Sequence, residues 1–487
     1  MLLPLLLLFA ASAPAPASAP ASPTDDVEVS LRRFIDVLAT VESRAADPID
    51  SERAVYDGAI PAMLRELDPH SVFFDPEQFE QLKTMERSES KGFGSVVSVL
   101  PGRVIVLQAM PGTPSARAGL SPGDEIVVIN NVPLAALSFD QLVQFLGESH
   151  QKEAELLVRR PGSVRPLRFT LKPELIDAPS VDRAFLLQPG IGYVRVASFD
   201  PKTAKALKEA IEKLGGGNLK GLVLDLRNNS GGVVQTAMES ASYFLKPGQR
   251  ILTAHGRSVQ GNDEVDVPKN AAPYSFPLAV LVNEKTASAA EIVTGALQDH
   301  DRATIVGVPT YGKGLVQSVL PLSGNTAMAL TTAFYYTPSG RSIQRPLNEG
   351  QLGDIAAHRE YATDAGRKVP GGGGIQPDVV VAPEDPTRLR VALEASGALT
   401  SFATDYTQKH KLTDPFAVTG AILDDFQLYA SERGIQPAVA EWLRDRDWIQ
   451  ARLQAEIYNQ AFGVARGDEV EAQSDPQVQA ALAALSR

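Results

Sequence analysis

The stretch Leu281–Gln317 reads LVNEKTASAAEIVTGALQDHDRATIVGVPTYGKGLVQ. It is entered from an unbroken apolar run, Leu278–Val282, of strand length. From Ala287 to Leu297 the apolar residues fall at helical spacing, and Thr304–Val306 and Gly314–Leu320 return to strand character. Such alternation argues for an α/β layer with a largely parallel sheet. Ser288 opens the helix. A side chain there lies near backbone N–H groups that have no helical partner, and the helix dipole favours developing negative charge. Serine is also a preferred helix cap, so Ser288 alone does not distinguish a nucleophile from a cap.

A serine attacks an amide only when something removes its proton. Lys313 follows 25 residues after Ser288, between Gly312 and Gly314. A lysine is a base only when neutral, so a site using it must lower its pKa from about 10.4 by desolvation or nearby positive charge. No acidic residue lies within five positions of Lys313, which is compatible with a desolvated amine. Gln317 stands four residues on. In a strand an even offset places both side chains on one face. A neutral amide there can hold the amine without raising its pKa as a carboxylate would.

The same alternation extends upstream. Ile191–Ala197 reads as a strand, Thr203–Leu214 as a helix, Leu222–Leu226 as a mostly apolar strand and Val233–Phe244 as a helix. Between the last two lies Asp225-Leu-Arg-Asn-Asn-Ser-Gly-Gly-Val233. Paired glycines allow close backbone approach and aim N–H groups at a ligand, which is what an oxyanion hole needs. Gly307–Gly314 looks superficially like a phosphate loop. Its lysine is followed by glycine rather than Ser/Thr, so the magnesium-binding hydroxyl is missing and nucleotide binding is not expected. The six histidines stand in neither a trypsin-like motif, a nucleophile elbow nor a metal-binding spacing. His300, just beyond the Ser288 helix, is read as structural.

Before this layer the chain has a different character. Asp25 to about Ser90 reads as helical, with a break at Asp68-Pro69-His70-Ser71. From Lys91 to about Pro173 come short β-rich runs: Ser95–Leu100, Arg103–Leu107, Glu125–Ile129, Ala154–Arg159 and Leu167–Leu171. Short helices near Pro114–Ala118 and Phe139–Leu146 interrupt them. The Gly92-Phe93-Gly94 loop before the first strand can present N–H groups to a carboxylate, and the strand edge can pair with an extended peptide. After Gly371–Gly374 and a short strand at Asp378–Val381, the chain from Pro386 is helical; Trp442, Ile449, Leu453 and Ile457 share a helical face.

At 487 residues the chain exceeds one ordinary core, and about three or four domains are expected. A net charge of -12 with no concentrated basic patch argues against a nucleic-acid role. There is no cysteine, so disulfides, thiolate metal sites and a cysteine lipid anchor are excluded. Leu2–Ala11 is apolar and of signal-peptide length, and an Ala/Pro/Ser-rich stretch follows to about Pro23; no Lys or Arg precedes it. The expectation is export to the periplasm or beyond, with the N-terminal segment, where uncleaved, tethering the protein to the membrane. No other segment has 18 uninterrupted apolar residues, so no stable membrane span is expected.

In order and at matching spacing, several segments resemble the carboxy-terminal processing (tail-specific) proteases, PDZ-containing serine/lysine endopeptidases. They are Leu67-Asp-Pro-His-Ser71, Gly92-Phe-Gly94, Ala118-Gly-Leu-x-Pro-Gly-Asp124, Asp225-Leu-Arg-Asn-Asn-x-Gly-Gly232, Thr286-Ala-Ser-Ala-Ala-Glu291, Tyr311-Gly-Lys-Gly-x-Val-Gln317, Tyr336-Thr-Pro-Ser-Gly-Arg-Ser-Ile343 and Gly371–Asp378. The likeness covers about residues 50–382. It implies a multidomain α/β protein: a crotonase-like protease core over 175–385, an inserted PDZ β-domain over 89–174, and helical N-terminal (24–88) and C-terminal (386–487) regions behind a signal segment (1–23).

The resemblance also implies roles. Ser288 would be the nucleophile, Lys313 the general base and Gln317 the residue orienting the lysine. The N–H of Ala289 with that of Gly231 or Gly232 would form the oxyanion hole. Gly92, Phe93 and Gly94 would hold a substrate C-terminus. Two departures stand out: Ser230 replaces a usual proline and Ala290 a common serine. The expected activity is endopeptidase cleavage of protein substrates near apolar C-termini, with no metal, nucleotide or other cofactor. The C-terminal helices are read as a surface for homo-oligomerisation or an adaptor. The rival reading is a catalytically silent PDZ scaffold on a protease fold.

Overall fold

The computed structural model describes residues 23–86, 89–150, 152–257, 263–346 and 360–486. The expected signal segment, up to residue 22, lies outside them. Among the described residues no helix is long and apolar enough to cross a membrane.

The central sheet runs in the order Val181–Gln188, Ile191–Val196, Gly221–Asp225, Leu278–Val282, Thr304–Gly307, Val379–Val380. Only the first pair is antiparallel. Gly221–Asp225 and Leu278–Val282 are buried at every position, which is why they read as continuous apolar runs. Their side chains alternate between two cores. Leu222, Leu224, Leu278, Val280 and Val282 pack with Leu207, Ala237 and Val293 from the helices Thr203–Leu214, Val234–Ser242 and Ala289–Asp299. Val223, Ala279 and Leu281 point the other way, onto Ala472, Val478 and Ala481 of the helices Val464–Ser474 and Pro476–Leu485. Each fully buried Leu or Val contributes roughly 1.5–3 kcal/mol. The end of the chain therefore supplies one face of the core.

A second sheet carries Val72–Phe74, Leu315–Pro321, Ala327–Tyr336, Arg250–His255 and Asp263–Asp266. The N-terminal region is helical as expected, with Pro23–Arg44 and Pro76–Glu86 among its helices, but it also lends a strand to this sheet. Val72-Phe73-Phe74 forms a strand against Ala327–Ala329, between the turn at Pro69 and the helix Pro76–Glu86. A three-residue β-branched and aromatic run carries too little pattern to announce itself, and pairing with a distant strand decides its state.

The β-rich segment closes on its own core of Val104, Val106, Ile126, Leu142, Leu156 and Val158. Its five main strands have the order Ser95–Leu100, Arg103–Ala109, Glu125–Ile129, Ala154–Arg159, Leu167–Leu171. It joins the rest through a two-stranded ribbon, Glu89–Gly92 against Glu174–Asp177. Helices from Arg388 to Ala461 form a bundle around Leu393, Phe402, Phe426, Ile449 and Leu453. That bundle touches the β segment: the Arg103 guanidinium donates to Ser401 Oγ, and Gly397 lies against Leu100.

Candidate active site

The site forms where two buried parallel strands end, the place where open α/β sheets expose loops to ligands. Beyond Asp225, the Asn229 carbonyl accepts from Ala287 N at 2.9 Å and the Leu226 carbonyl from Thr286 Oγ1 at 2.8 Å. The two loops are thus joined before Ser288 is reached. Gly231 and Gly232 adopt φ of 102° and 132°. The Gly231 carbonyl accepts from Phe199 N at 2.8 Å, and Val233 N donates to Phe199 O at 2.8 Å.

Ser288 is half-buried and has φ 54° and ψ -118°. A non-glycine residue held at positive φ costs of order 1–3 kcal/mol and persists only where its surroundings fix it. Ser288-Ala-Ala-Glu291 has the pattern of a capping box, but the serine half is absent. Glu291 N donates to the Ser288 carbonyl at 2.8 Å, and the serine side chain makes no capping hydrogen bond. The hydroxyl is left for other work.

The Glu291 carboxylate is fully buried. Oε1 accepts from Thr310 Oγ1 at 2.5 Å and Gly312 N at 2.8 Å; Oε2 accepts from Ser288 N and Lys313 N, each at 2.9 Å. Burial raises its pKa against these four donors. Tyr335 makes a second clamp, its hydroxyl lying 2.7 Å from the Lys313 carbonyl and 3.1 Å from that of Ser288. Two buried side chains therefore fix the backbones of Ser288 and Lys313 relative to one another.

Lys313 Nζ donates to Gln317 Oε1 at 2.6 Å, and Gln317 Nε2 donates to the His70 carbonyl at 2.6 Å. Burial pushes the Lys313 amine below its ordinary value, with Asp68 and Glu291 pulling the other way. Both acids come from distant segments, out of reach of a reading confined to the neighbours of Lys313. Among the described residues Lys313 Nζ and Ser288 Oγ share no hydrogen bond. Catalytic hydrogen bonds are often long without substrate, so this geometry does not exclude proton transfer.

Gly231 N donates to Asn229 Oδ1 at 2.8 Å, so it is committed to its own turn. Gly232 N and Ala289 N carry no hydrogen bond among the described residues. Gly231 instead provides space: a Cβ there would lie 2.9 Å from Ser288 Cβ and 3.0 Å from Ala289 N. Gly231→Ala is therefore expected to displace Ser288 and cut peptide turnover about 10²-fold or more. The accompanying stability loss should be only about 1–2 kcal/mol. Steady-state hydrolysis alongside thermal unfolding checks this; wild-type turnover would show that the close approach is not needed.

His300 joins a structural network. Nδ1 meets Asp364 at 2.7 Å and Nε2 faces the Arg250 carbonyl at 2.7 Å, at the far end of the Ser288 helix. Among the described residues no His/Cys/Asp/Glu cluster suits a metal ion. A cavity of about 430 Å³ behind the Asn228 turn is lined by Arg183, Arg195 and Arg227. These pair with Asp468, Asp182 and Asp225/Asp475, so their charges are already answered.

In the β segment a cavity of about 370 Å³ lies beside Gly92-Phe93-Gly94, lined by Val97, Ile126, Ile129, Leu146 and Leu156 among others. The Phe93 and Gly94 carbonyls are taken by Ser115 N and Met110 N. Their N–H groups carry no hydrogen bond among the described residues. Among the described residues Ser95–Leu100 pairs on one edge only.

Residues 190–357 match the model of peptidase family S41, and residues 105–160 match a PDZ domain. The chain is 35% identical over 318 residues to a carboxy-terminal-processing protease of Bartonella bacilliformis, covering 64% of this chain and 72% of that protein. It is 34% identical over 304 residues to a carboxyl-terminal-processing protease of Synechocystis sp., covering 61% and 70%. It is 36% identical over 314 residues to the chloroplastic carboxyl-terminal-processing peptidase 2 of Arabidopsis thaliana, covering 61% and 60%.

Proposed function

This chain belongs to the carboxy-terminal-processing proteases of peptidase family S41, which are serine peptidases, and from that premise we propose a Ser288/Lys313 mechanism fed by capture of substrate C-termini. The observation that carries the reading is the pair of clamps from Glu291 and Tyr335, which fix Ser288 and a desolvated Lys313 to one another.

Lys313 Nζ removes the Ser288 Oγ proton as Oγ attacks the scissile carbonyl. The carbonyl π pair moves to oxygen, and the N–H groups of Ala289 and Gly232 receive the oxyanion. Collapse breaks the C–N bond, and Lys313 returns its proton to the leaving amine. Water then adds to the Ser288 ester as Lys313 takes its proton; collapse breaks the acyl C–Oγ bond, Lys313 returns the proton to Oγ, and the new C-terminus leaves. For the first proton transfer Nζ must stand within about 3 Å of Oγ.

The free carboxylate of a protein substrate docks on the Phe93 and Gly94 N–H groups of the PDZ domain, over about residues 89–174. Its last side chain enters the apolar groove, and its backbone adds to the edge of Ser95–Leu100. The protease core spans about 175–385, and the helices beyond it offer the oligomer or adaptor surface. Processing proteases of bacteria and chloroplasts are its relatives, and the apolar N-terminal segment supports export.

The test is cleavage of a loosely folded protein ending in apolar residues, followed by intact mass, with wild type, Ser288→Ala and Leu146→Glu side by side. Ser288→Ala should be inert. Leu146→Glu, whose charge would lie in the groove, should lose about tenfold or more on the protein but little on a short internal peptide. Cleavage by Ser288→Ala would remove the nucleophile assignment, and equal losses on both substrates would remove the capture step.

A further inference from the structure

Residues 67–71 lie outside both family matches, yet they reach the base. The Gln317 amide is polar in one sense only: its oxygen takes the Lys313 amine, so its NH₂ needs an acceptor. That acceptor is the His70 carbonyl. Without it, the amide could turn its NH₂ toward the amine, where two donors would face each other.

The His70 carbonyl is itself held in place. Asp68 Oδ1 accepts from His70 N at 2.7 Å and Ser71 N at 2.8 Å, and Asp68 Oδ2 accepts from Ser71 Oγ at 2.8 Å. This is a local side-chain-to-backbone turn of the kind Asp forms readily. Ser71 is buried, and its hydroxyl accepts from Thr331 N at 3.2 Å. Thr331 stands directly opposite Gln317 in the hairpin register. The turn is thereby attached to the strand that flanks Gln317.

We infer that Asp68 is a positioning residue of the catalytic base: it shapes the turn that presents the His70 carbonyl to Gln317, and so sets where Lys313 Nζ points and how much negative charge it faces. This rests on the Ser288/Lys313 reading. Among the described residues the charged and titratable groups around Lys313 are Asp68 and His70 from this turn, Glu291 from the Ser288 helix, and the Tyr335 phenol, which donates to the Lys313 carbonyl. Burial opposes ionisation of Asp68, but the Ser71 hydroxyl and the His70 and Ser71 N–H groups outweigh it and hold the carboxyl below its usual range. It is a carboxylate at working pH and favours the protonated lysine.

The sign of the test follows. Asp68→Asn removes a charge that stabilises the ammonium, so the acid limb of the kcat profile should move to lower pH, by about half a unit. The loosened turn should lower the kcat plateau about 10²-fold. KM should hold, because Asp68 is not placed against substrate. Ser71→Ala keeps the charge and weakens the turn, so its plateau should fall about tenfold with the limb unmoved. Asp68→Glu should keep the limb near its wild-type position.

All are measured on the full mature chain with a short peptide, beside Ser288→Ala and Lys313→Ala. An Asp68→Asn profile that superimposes on wild type, or a loss confined to KM, overturns the inference. Should Asp68→Asn not fold, a wild-type plateau for Ser71→Ala overturns it instead. Activity in Ser288→Ala or Lys313→Ala would instead bring down the underlying reading, a distinct result.

Discussion

Lys313→Ala is expected to lower kcat/KM by about 10⁴-fold or more, a loss at the upper end for removing a general base that acts as one unit with its nucleophile. Lys313→Arg should fare no better, because a guanidinium stays protonated throughout the accessible range. The wild-type profile provides the sharper check. Burial lowers the Lys313 pKa, while Asp68 and Glu291 limit the drop. Below that pKa the amine carries a proton and cannot accept another. Activity should therefore rise with pH along a single limb centred below the ordinary lysine value of about 10.4, and level off once the amine is neutral. The residual rate of Lys313→Ala should lack this limb. A limb in the histidine range that survives Lys313→Ala would point to another base, with His70, whose pKa is lowered by burial and by the Lys313 charge, the imidazole to examine.

Glu291→Gln should be nearly as damaging, although it changes one atom. Each carboxylate oxygen accepts two donors: Thr310 Oγ1 and Gly312 N on one, Ser288 N and Lys313 N on the other. An amide must put its NH₂ at one of those places. In one orientation it faces Gly312 N–H, and in the other it faces two backbone N–H groups at once. The Thr310 hydroxyl, whose oxygen accepts from Ile375 N and has a second lone pair, could turn to accept from the NH₂, but Gly312 N–H would still face it. Unsatisfied buried donors cost about 1–3 kcal/mol each, so a loss of about 3–5 kcal/mol is expected in denaturant unfolding, as for other broken buried charged networks. Because the same bonds join Ser288 to Lys313, turnover in the folded fraction should fall about 10²-fold or more. Stability within about 0.5 kcal/mol of wild type, with turnover intact, would show that the clamp is dispensable.

The parts of this protein that could be read from sequence are those with a local signature. The buried strands Gly221–Asp225 and Leu278–Val282 appear as apolar runs because helices cover both faces. Five strands of the PDZ domain appear because turns punctuate them. Ser288, Lys313 and Gln317 stand out by residue type and spacing, which already suggested a nucleophile, a base and a neutral partner for the amine; the family likeness implied the same roles. What stayed hidden is non-local. Ala327–Tyr336, the ten-residue strand that organises the second sheet, buries Ala327, Ala329, Ala333 and Tyr335 on one face, but Met328, Leu330 and Phe334 on the other are apolar too, so its sequence shows no polar alternation. The acids facing Lys313 come from residues 68 and 291. Glu291 did carry a legible signal, the capping-box spacing from Ser288. Sequence could suggest it as a cap, but not as a hub joining two loops. Gly231 is a similar case: its paired glycines suggested N–H donors, whereas its own N–H is spent on Asn229 and its missing side chain makes room for Ser288.

The ribbon at the base of the PDZ domain has a practical consequence for protein engineering. Glu89 is paired with Asp177, so the polypeptide leaves the protease and returns to it side by side, with Cα atoms about 5 Å apart. A module attached at one such doorway can be exchanged as a cassette: any ligand-binding domain whose own ends lie equally close could be spliced between these two strands. The bundle contacts at Leu100 and Arg103 would be forfeited, but the loops carrying Ser288 and Lys313 would keep their neighbours. Under the capture role proposed above, exchanging this domain is expected to change which tails are accepted and to leave the surroundings of Ser288 as they are.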